Sequence, residues 1–276
     1  MAKVELLKKE LDMIRQLGEM THVLEETAAR DISTVREHIL SGRPYFREAW
    51  RIYGIMQQLL PPTPDVLNKQ LVVAVTLEWG MTGSLLTRVL DKAEELYERY
   101  EADMLITGKM GQDRFAAQDG RTMHFFNVPK KAAYGDIVEL NKVVAKYMHI
   151  HFVYPRFETL SKQDVAVASI SATRDKPDSS VVEIDAKRFI VEPGLQELAN
   201  YMNEVVVGLT VYNYFSEALL AYSAAQMVAM RAAADNAKEE ARHLNFRYNK
   251  ARREAIDIKL RELYGARLAH TDRSDA

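Results

Sequence analysis

Apolar positions follow two different rhythms along this chain. Toward the C-terminus, Met227, Met230, Ala234, Ala237, Ala241, Leu244, Tyr248, Ala251, Ala255 and Ile258 alternate at spacings of three and four. This 3.5-residue repeat predicts a helix supercoiled left-handedly against another helix. Half of the seam is alanine, so the two axes are expected to approach closely. The N-terminal segment carries a matching stripe through Val4, Leu7, Leu11, Ile14, Leu17, Met20, Leu24, Ala28, Ile32, Val35 and Ile39, with Gly18 as an interruption. The two ends are therefore expected to pair as an antiparallel coiled coil. Pro44 falls inside the first helix and should kink or break it.

The middle has the other rhythm. Pro61-Pro62-Thr63-Pro64 is a stiff turn that closes the first helix. Leu71–Leu77 reads as a buried strand, followed by Gly80-Met81-Thr82-Gly83 and an amphipathic helix to about Tyr100. Asp103–Thr107 is a second strand, then a glycine-containing loop. Tyr134–Lys146 is helical, His149–Tyr154 is a third strand, and Val165–Ala172 and Val181–Val191 are two more. Strand–helix alternation predicts parallel βαβ units with an antiparallel edge at the end. The expected fold is thus α/β: a long antiparallel coiled coil of the N- and C-terminal helices with an inserted Rossmann-like domain of about five strands. The expected segments are residues 1–60, 61–192 and 193–276.

The breakers support this division. Residues 1–43 and 194–276 contain none of the 8 prolines, and Leu209–Tyr264 contains neither glycine nor proline. Glycine and proline cost about 1 and 3 kcal/mol inside a helix, so their absence permits a very long one. The charge balance, 37 basic against 39 acidic residues, argues against a polyanion binder, and the lack of cysteine removes disulfides, thiolate metal sites and cysteine nucleophiles. The most apolar windows, Leu71–Leu77 and Glu204–Leu209, are far short of the ~20 residues that span a bilayer. A soluble chain that meets membranes only through partners is expected.

Chemical motifs are sparse. Gly80-Met81-Thr82-Gly83 lies where phosphate loops sit, but it lacks G-x-G-x-x-G and the Lys-Ser/Thr of a Walker loop, so a tight strand-to-helix turn is the favoured reading. His149 and His151 share one face of a strand without a third metal ligand at short range, which favours a structural role. Glu25 and Glu26 point in different directions on a helix and read as solvated. No metal, cofactor or nucleophile–base constellation is expected. From Met227 to Ala266 nine basic residues face six acids, whereas Lys3–Glu37 holds six bases and eight acids. On charge alone the basic helix is an ordinary solvated surface.

Sequence identity points further. Met227-Val-Ala-Met-Arg-Ala-Ala-Ala-Asp-Asn236, then Tyr248-Asn-Lys-Ala-Arg252, then Gly265-Ala266 closely resemble the C-terminal helix of the gamma subunit of F-type ATP synthases. The blocks there read M-V-A-M-K-x-A-T-D-N, Y-N-K-x-R and G-A. Ser41-Gly-Arg-Pro-Tyr45 is similar to that family's S-R-P-Y segment, and Phe189-Ile-Val-Glu-Pro193 to its Y-x-x-E-P entry into the last helix. The resemblance implies a central-stalk rotor subunit without an active site of its own. It couples rotation of the membrane c ring to conformational changes at the beta-subunit nucleotide sites. Implied partners are the alpha and beta subunits of the ATPase ring, the epsilon subunit and the c ring, with no nucleic acid and no direct membrane span. The implied location is peripheral, on the cytoplasmic face of the inner (cell) membrane.

Carried over block by block, the implied shaft contacts are Arg43 and Tyr45, then Met227, Met230, Arg231, Asp235, Asn236, Tyr248, Asn249, Lys250 and Arg252. Several positions depart from the family pattern. The I-T-K-A-M-x-x-V-A-A-x-K run is represented by Met20–Arg30, the charged S-E-x-A-A-R block by Ala221–Gln226, and a family Gln and Thr by Arg253 and Asp257. These changes would alter charge pairing with a ring. They leave open a gamma-like paralogue in a specialised F-type ATPase; a plain coiled-coil scaffold is the remaining alternative. An enzyme built on the α/β domain would need convergent polar groups near Gly80–Gly83.

Overall fold

The computed structural model describes residues 2–57, 67–76, 80–115, 121–128, 134–171 and 194–274. The stretches poorest in proline form its longest elements, helix α1 (Ala2–Gln57) and helix α5 (Leu195–Ser274). α1 runs without interruption through Pro44, so the expected break does not form. The bonds of the neighbouring turns outlast the single one that a proline cannot donate. By contacts the chain falls into two compact units, Met1–Thr27 with Met227–Ala276, and Ala28–Gln226. Each long helix contributes to both.

The larger unit is built on a sheet of strands β1 (Leu67–Ala74), β2 (Asp103–Thr107), β3 (Met123–Phe126), β4 (Tyr147–Phe157) and β5 (Gln163–Ser171), in the order β3-β2-β1-β4-β5. β1 pairs in parallel with β2 and β4, β2 pairs in parallel with β3, and β5 closes the edge antiparallel to β4. The central strands carry fully buried runs, Leu71–Ala74 of β1 and every residue of β2, because both faces are covered there. Helix α2 (Leu85–Arg99) turns Leu86, Val89, Leu90, Ala93 and Leu96 inward. Just after it, Tyr100 stacks on His151 with ring centroids 4.5 Å apart. Side chains alternate along a strand, so Phe152 and Tyr154 face the other way. There they meet Tyr214 of α5 at centroid distances of 5.1 and 4.7 Å. Val211, Phe215, Ala218, Tyr222 and Ala225 continue that α5 stripe into the core. The fully buried Tyr222 hydroxyl donates to the Val75 carbonyl at 3.1 Å.

The α/β expectation holds, with two differences in detail. β3 was not expected, and helix α3 (Lys109–Phe115) stands where a loop was. A four-residue strand has no periodicity of its own and is defined by its pairing with β2. The expected strand at Val181–Val191 lies outside the described residues. Helix α4 (Tyr134–Val144) leads into β4. Within Val205–Gly265, α5 is long and apolar enough to cross a membrane by length and composition, which the short sequence windows did not suggest; half of its most apolar 18-residue stretch is buried in the protein. Packing on the sheet accounts for that apolar content.

Candidate functional site

In the smaller unit the N-terminal part of α1 and the C-terminal part of α5 form a two-helix coil. Leu7, Leu11, Leu244 and Ala251 make its buried core, with Val4, Ile14, Ala241 and Tyr248 packed around them. A Cβ placed on Gly18 would lie 3.5 Å from the Ala237 Cβ. Rising numbers on α1 therefore meet falling numbers on α5, and the pair is antiparallel. The α5 seam is the expected one as far as Ala255; Ile258 is 57% exposed. The α1 seam differs from the expected stripe. It passes through Val4, Leu7, Leu11, Ile14, Gly18, Thr21 and Glu25, all buried or half-buried, in strict alternation of three and four. Leu17 and Met20, expected in the seam, are 49% and 55% exposed. Gly18 does not interrupt the seam: it occupies a seam position, where small residues let the helices close.

The carried-over residues divide by this geometry. Met230 is buried, Met227 and Tyr248 are half-buried, and these three serve the coil itself. Arg231, Asp235, Asn236, Asn249, Lys250 and Arg252 are exposed, and Tyr45 is 79% exposed. Arg43 lies within α1, and its side chain is outside the described set. The structure does not bring the exposed residues to one point: those from Arg231 to Arg252 are strung along the surface of the coil, and Tyr45 belongs to the larger unit. With them are exposed apolar side chains that the sequence reading did not single out as surface: Leu6, Met13, Leu17 and Met20 on α1, and Phe246, Ile256, Leu260 and Leu263 on α5. Every ion pair among the described residues of the coil is made within one helix, such as Lys9 with Glu5 and His22 with Glu25.

The sheet domain offers no competing centre among the described residues. His151 hydrogen-bonds to Ser169 at 2.8 Å and Gln70 at 3.0 Å. Burial, and then the neighbouring His149, hold its pKa below the ordinary histidine value. No group of three or more His, Cys, Asp or Glu among the described residues could hold a metal. The Tyr147 hydroxyl donates to Asp103 at 3.0 Å, and burial followed by that bond pushes its pKa up to about 12. Gly80–Gly83 ends in a turn in which Leu85 N–H reaches the Thr82 carbonyl at 3.4 Å. Met81 and Gly83 there adopt φ of 68° and 61°. Thr76 and Thr107 bond to each other at the carboxyl ends of β1 and β2, which leaves their hydroxyls satisfied.

The family model described as ATP synthase matches residues 3–269. This chain belongs to the ATP synthase gamma family. The ATP synthase gamma chain of Dehalococcoides mccartyi is 25% identical over 290 residues, covering 98% of this chain and 99% of that one. The gamma chain of Chloroflexus aurantiacus is 26% identical over 287 residues, covering 96% and 98%. Among solved structures, a chain of the Euglena gracilis mitochondrial ATP synthase (OSCP/F1/c-ring, rotational state 3) superposes with a TM-score of 0.66 at 16% identity, covering 100% of this chain and 97% of that one. A rotor chain of the same synthase in rotational state 1 gives 0.64 at 17% identity, covering 92% and 99%. These likenesses match the fold of a central stalk, and the gamma family is part of a membrane-associated ATP synthase complex.

Proposed function

We propose that the chain is the central-stalk rotor of an F-type ATP synthase or ATPase. It couples rotation of the c ring to conformational change at the beta-subunit nucleotide sites, and it carries no catalytic residue itself. The observation that carries this reading is the surface of the coil. Two helices bury a narrow seam of small residues, yet leave Leu6, Met13, Leu17, Met20 and Phe246 between 49% and 73% exposed. A free coiled coil is expected to present mainly polar flanks, whereas a shaft enclosed by other subunits covers such residues on assembly. An eccentric rod that meets each surrounding subunit differently stabilises a different state of each, which is coupling through differential contacts.

On this reading the exposed Arg231, Asp235, Asn236, Asn249, Lys250 and Arg252, together with Arg43 and Tyr45, face the alpha and beta subunits, while the sheet domain faces epsilon and the c ring. The assembly lies on the cytoplasmic face of the cell membrane. The excess of acids over bases in Lys3–Glu37 favours a second reading, in which the chain serves a specialised ATPase with co-evolved partners. Purification of the chain from its native cells tests the first proposal: it should bring a Walker-type ATPase ring with it, and its isolation without one would overturn the rotor reading. Arg252→Glu should lower coupling between ATP hydrolysis and ion transport with helix content unchanged. ATP-driven proton or sodium uptake by native vesicles shows whether a c ring is engaged.

A further inference from the structure

Every residue of α5 from Leu220 to Gln226 is buried, none more than 8% exposed. A helix packed on one surface buries a stripe and leaves its other face to water. Here burial continues all round the helix for about two turns. Ala218, Tyr222 and Ala225 turn toward the sheet and belong to the core of the larger unit. The same stretch is where Ala221–Gln226 stands in place of the charged S-E-x-A-A-R block, with Tyr222 at the Glu position and Gln226 at the Arg position. Neutral side chains suit a stretch closed to water, where a charge is costly. The arrangement around Tyr222 is therefore a property of this chain and not of the family pattern.

Two points hold α5 on the sheet. At the rear, Tyr214 packs on Phe152 and Tyr154, with Val207 and Val211 beside it in the same core. At the front, the Tyr222 hydroxyl donates to the Val75 carbonyl at 3.1 Å. Val75 is a firm anchorage. Its own N–H donates to the Val153 carbonyl at 2.9 Å, and the N–H of the next residue, Thr76, donates to the Thr107 hydroxyl at 3.0 Å. The carboxyl end of β1 is thus tied to β4 on one side and β2 on the other, so a force on Tyr222 is spread over three strands. Around Tyr222 the helix is smooth: Ala218, Ala221, Ala224 and Ala225 form ridges too low to resist sliding or rotation. Tyr222 is the last large side chain that α5 places in this core before the smaller unit begins at Met227.

We infer that Tyr222 is a positioning residue for coupling, the forward anchor that fixes the direction of α5 relative to the sheet. The geometry of a rod held at two points gives the effect its size. At about 1.5 Å per residue, Tyr222 lies about 12 Å beyond Tyr214 and Phe246 about 48 Å beyond it, so a sideways shift of about 1 Å at residue 222 grows to about 4 Å at residue 246. Upstream of Tyr214 the helix stays held by Val207 and Val211 whether or not Tyr222 is present. The role in coupling rests on the rotor reading, in which the sheet domain is driven and α5 carries the motion away from it. A shaft helix loose at its mounting absorbs that motion as bending instead of passing it on.

Two measurements test this. The full-length chain has no cysteine of its own, so spin labels can be placed at Val167→Cys on β5 together with either Tyr201→Cys or Phe246→Cys on α5, all three positions being exposed. By double electron–electron resonance, Tyr222→Ala should widen the 167–246 distance distribution at least twofold and leave the 167–201 distribution unchanged, whereas a general loosening of the fold would widen both. In vesicles from the native cells, ion uptake per ATP hydrolysed should fall at least fivefold with Tyr222→Ala and at least twofold with Tyr222→Leu, with hydrolysis itself within twofold of wild type. Tyr222→Phe, which keeps the ring, should restore the ratio to within twofold. If the alanine variant is not recovered in the complex, the leucine variant decides. Uptake and hydrolysis that fall in proportion, or a 167–246 distribution no wider than in wild type, would overturn the anchor and leave the rotor reading standing. Isolation of the wild-type chain without an ATPase ring would remove the rotor reading and the coupling role with it, whatever the distances show.

Discussion

Position 18 can be tied covalently to position 237, and the outcome reports directly on how the two helices meet. A Cβ built on Gly18 lies 3.5 Å from the Ala237 Cβ, at the near end of the 3.5–4.5 Å range that disulfides occupy. The chain contains no cysteine, so Gly18→Cys with Ala237→Cys yields a single possible bond. That bond would close a loop of about 220 residues, for which the chain-entropy relation gives about 5 kcal/mol of stabilisation, an upper figure because engineered disulfides commonly deliver less. Replacing glycine in mid-helix adds up to about 1 kcal/mol even before oxidation. Oxidation should shift the chain on a non-reducing gel, and the oxidised protein should keep its helical signal several degrees beyond the reduced one, with dithiothreitol abolishing the difference. A control pair, Leu17→Cys with Ala237→Cys, should stay reduced, since Leu17 points away from the seam. Preferential oxidation of the control pair, or no oxidation of the first, would refute the seam register.

Three further outcomes follow from the larger unit. Gly111→Ala should destabilise it by about 1–3 kcal/mol in urea, because the new Cβ would come within 2.6 Å of both Ile106 Cγ2 and Thr76 Oγ1 in a closed core. Tyr222→Phe removes the donor to the Val75 carbonyl and should lower stability by about 1–2 kcal/mol with the fold intact, read by denaturant midpoint. His151 has a depressed pKa, so the unfolded chain binds its proton more readily than the folded one. Its contribution is fully present above the ordinary value of 6.5 and is lost as pH falls through the lower folded value. Thermal unfolding of the wild type should therefore weaken below that pH, and His151→Gln should flatten this part of the profile.

Much of the architecture is local in origin and could be read along the chain. The sparse distribution of glycine and proline allows α1 and α5. The 3.5-residue repeat from Met227 to Ala255 sets the α5 seam. The buried runs of β1, β2 and β4 are near-continuous apolar segments because helices cover both faces. β3 and α3 carry no such signal, since one exists through pairing with β2 and the other is a seven-residue helix packed on a strand end. The resemblance in the blocks from Met227 to Arg252 indicated the family, but not which of those residues face outward.

The tertiary structure alone decided which face of α1 is buried. That helix carries two apolar stripes at nearly the same period, one through Leu7, Leu11 and Ile14 and another through Leu6, Met13, Leu17 and Met20. Hydrophobicity favours the second beyond residue 14, because it continues in large side chains while the first passes to Gly18 and Thr21. The helices nevertheless close on the smaller residues, since an alanine seam on α5 admits a close partner, and even a Cβ at Gly18 would stand in ordinary contact, 3.5 Å from that of Ala237. Shape complementarity between segments more than 200 residues apart outweighed local hydrophobicity. The displaced stripe remains exposed on the surface of the coil.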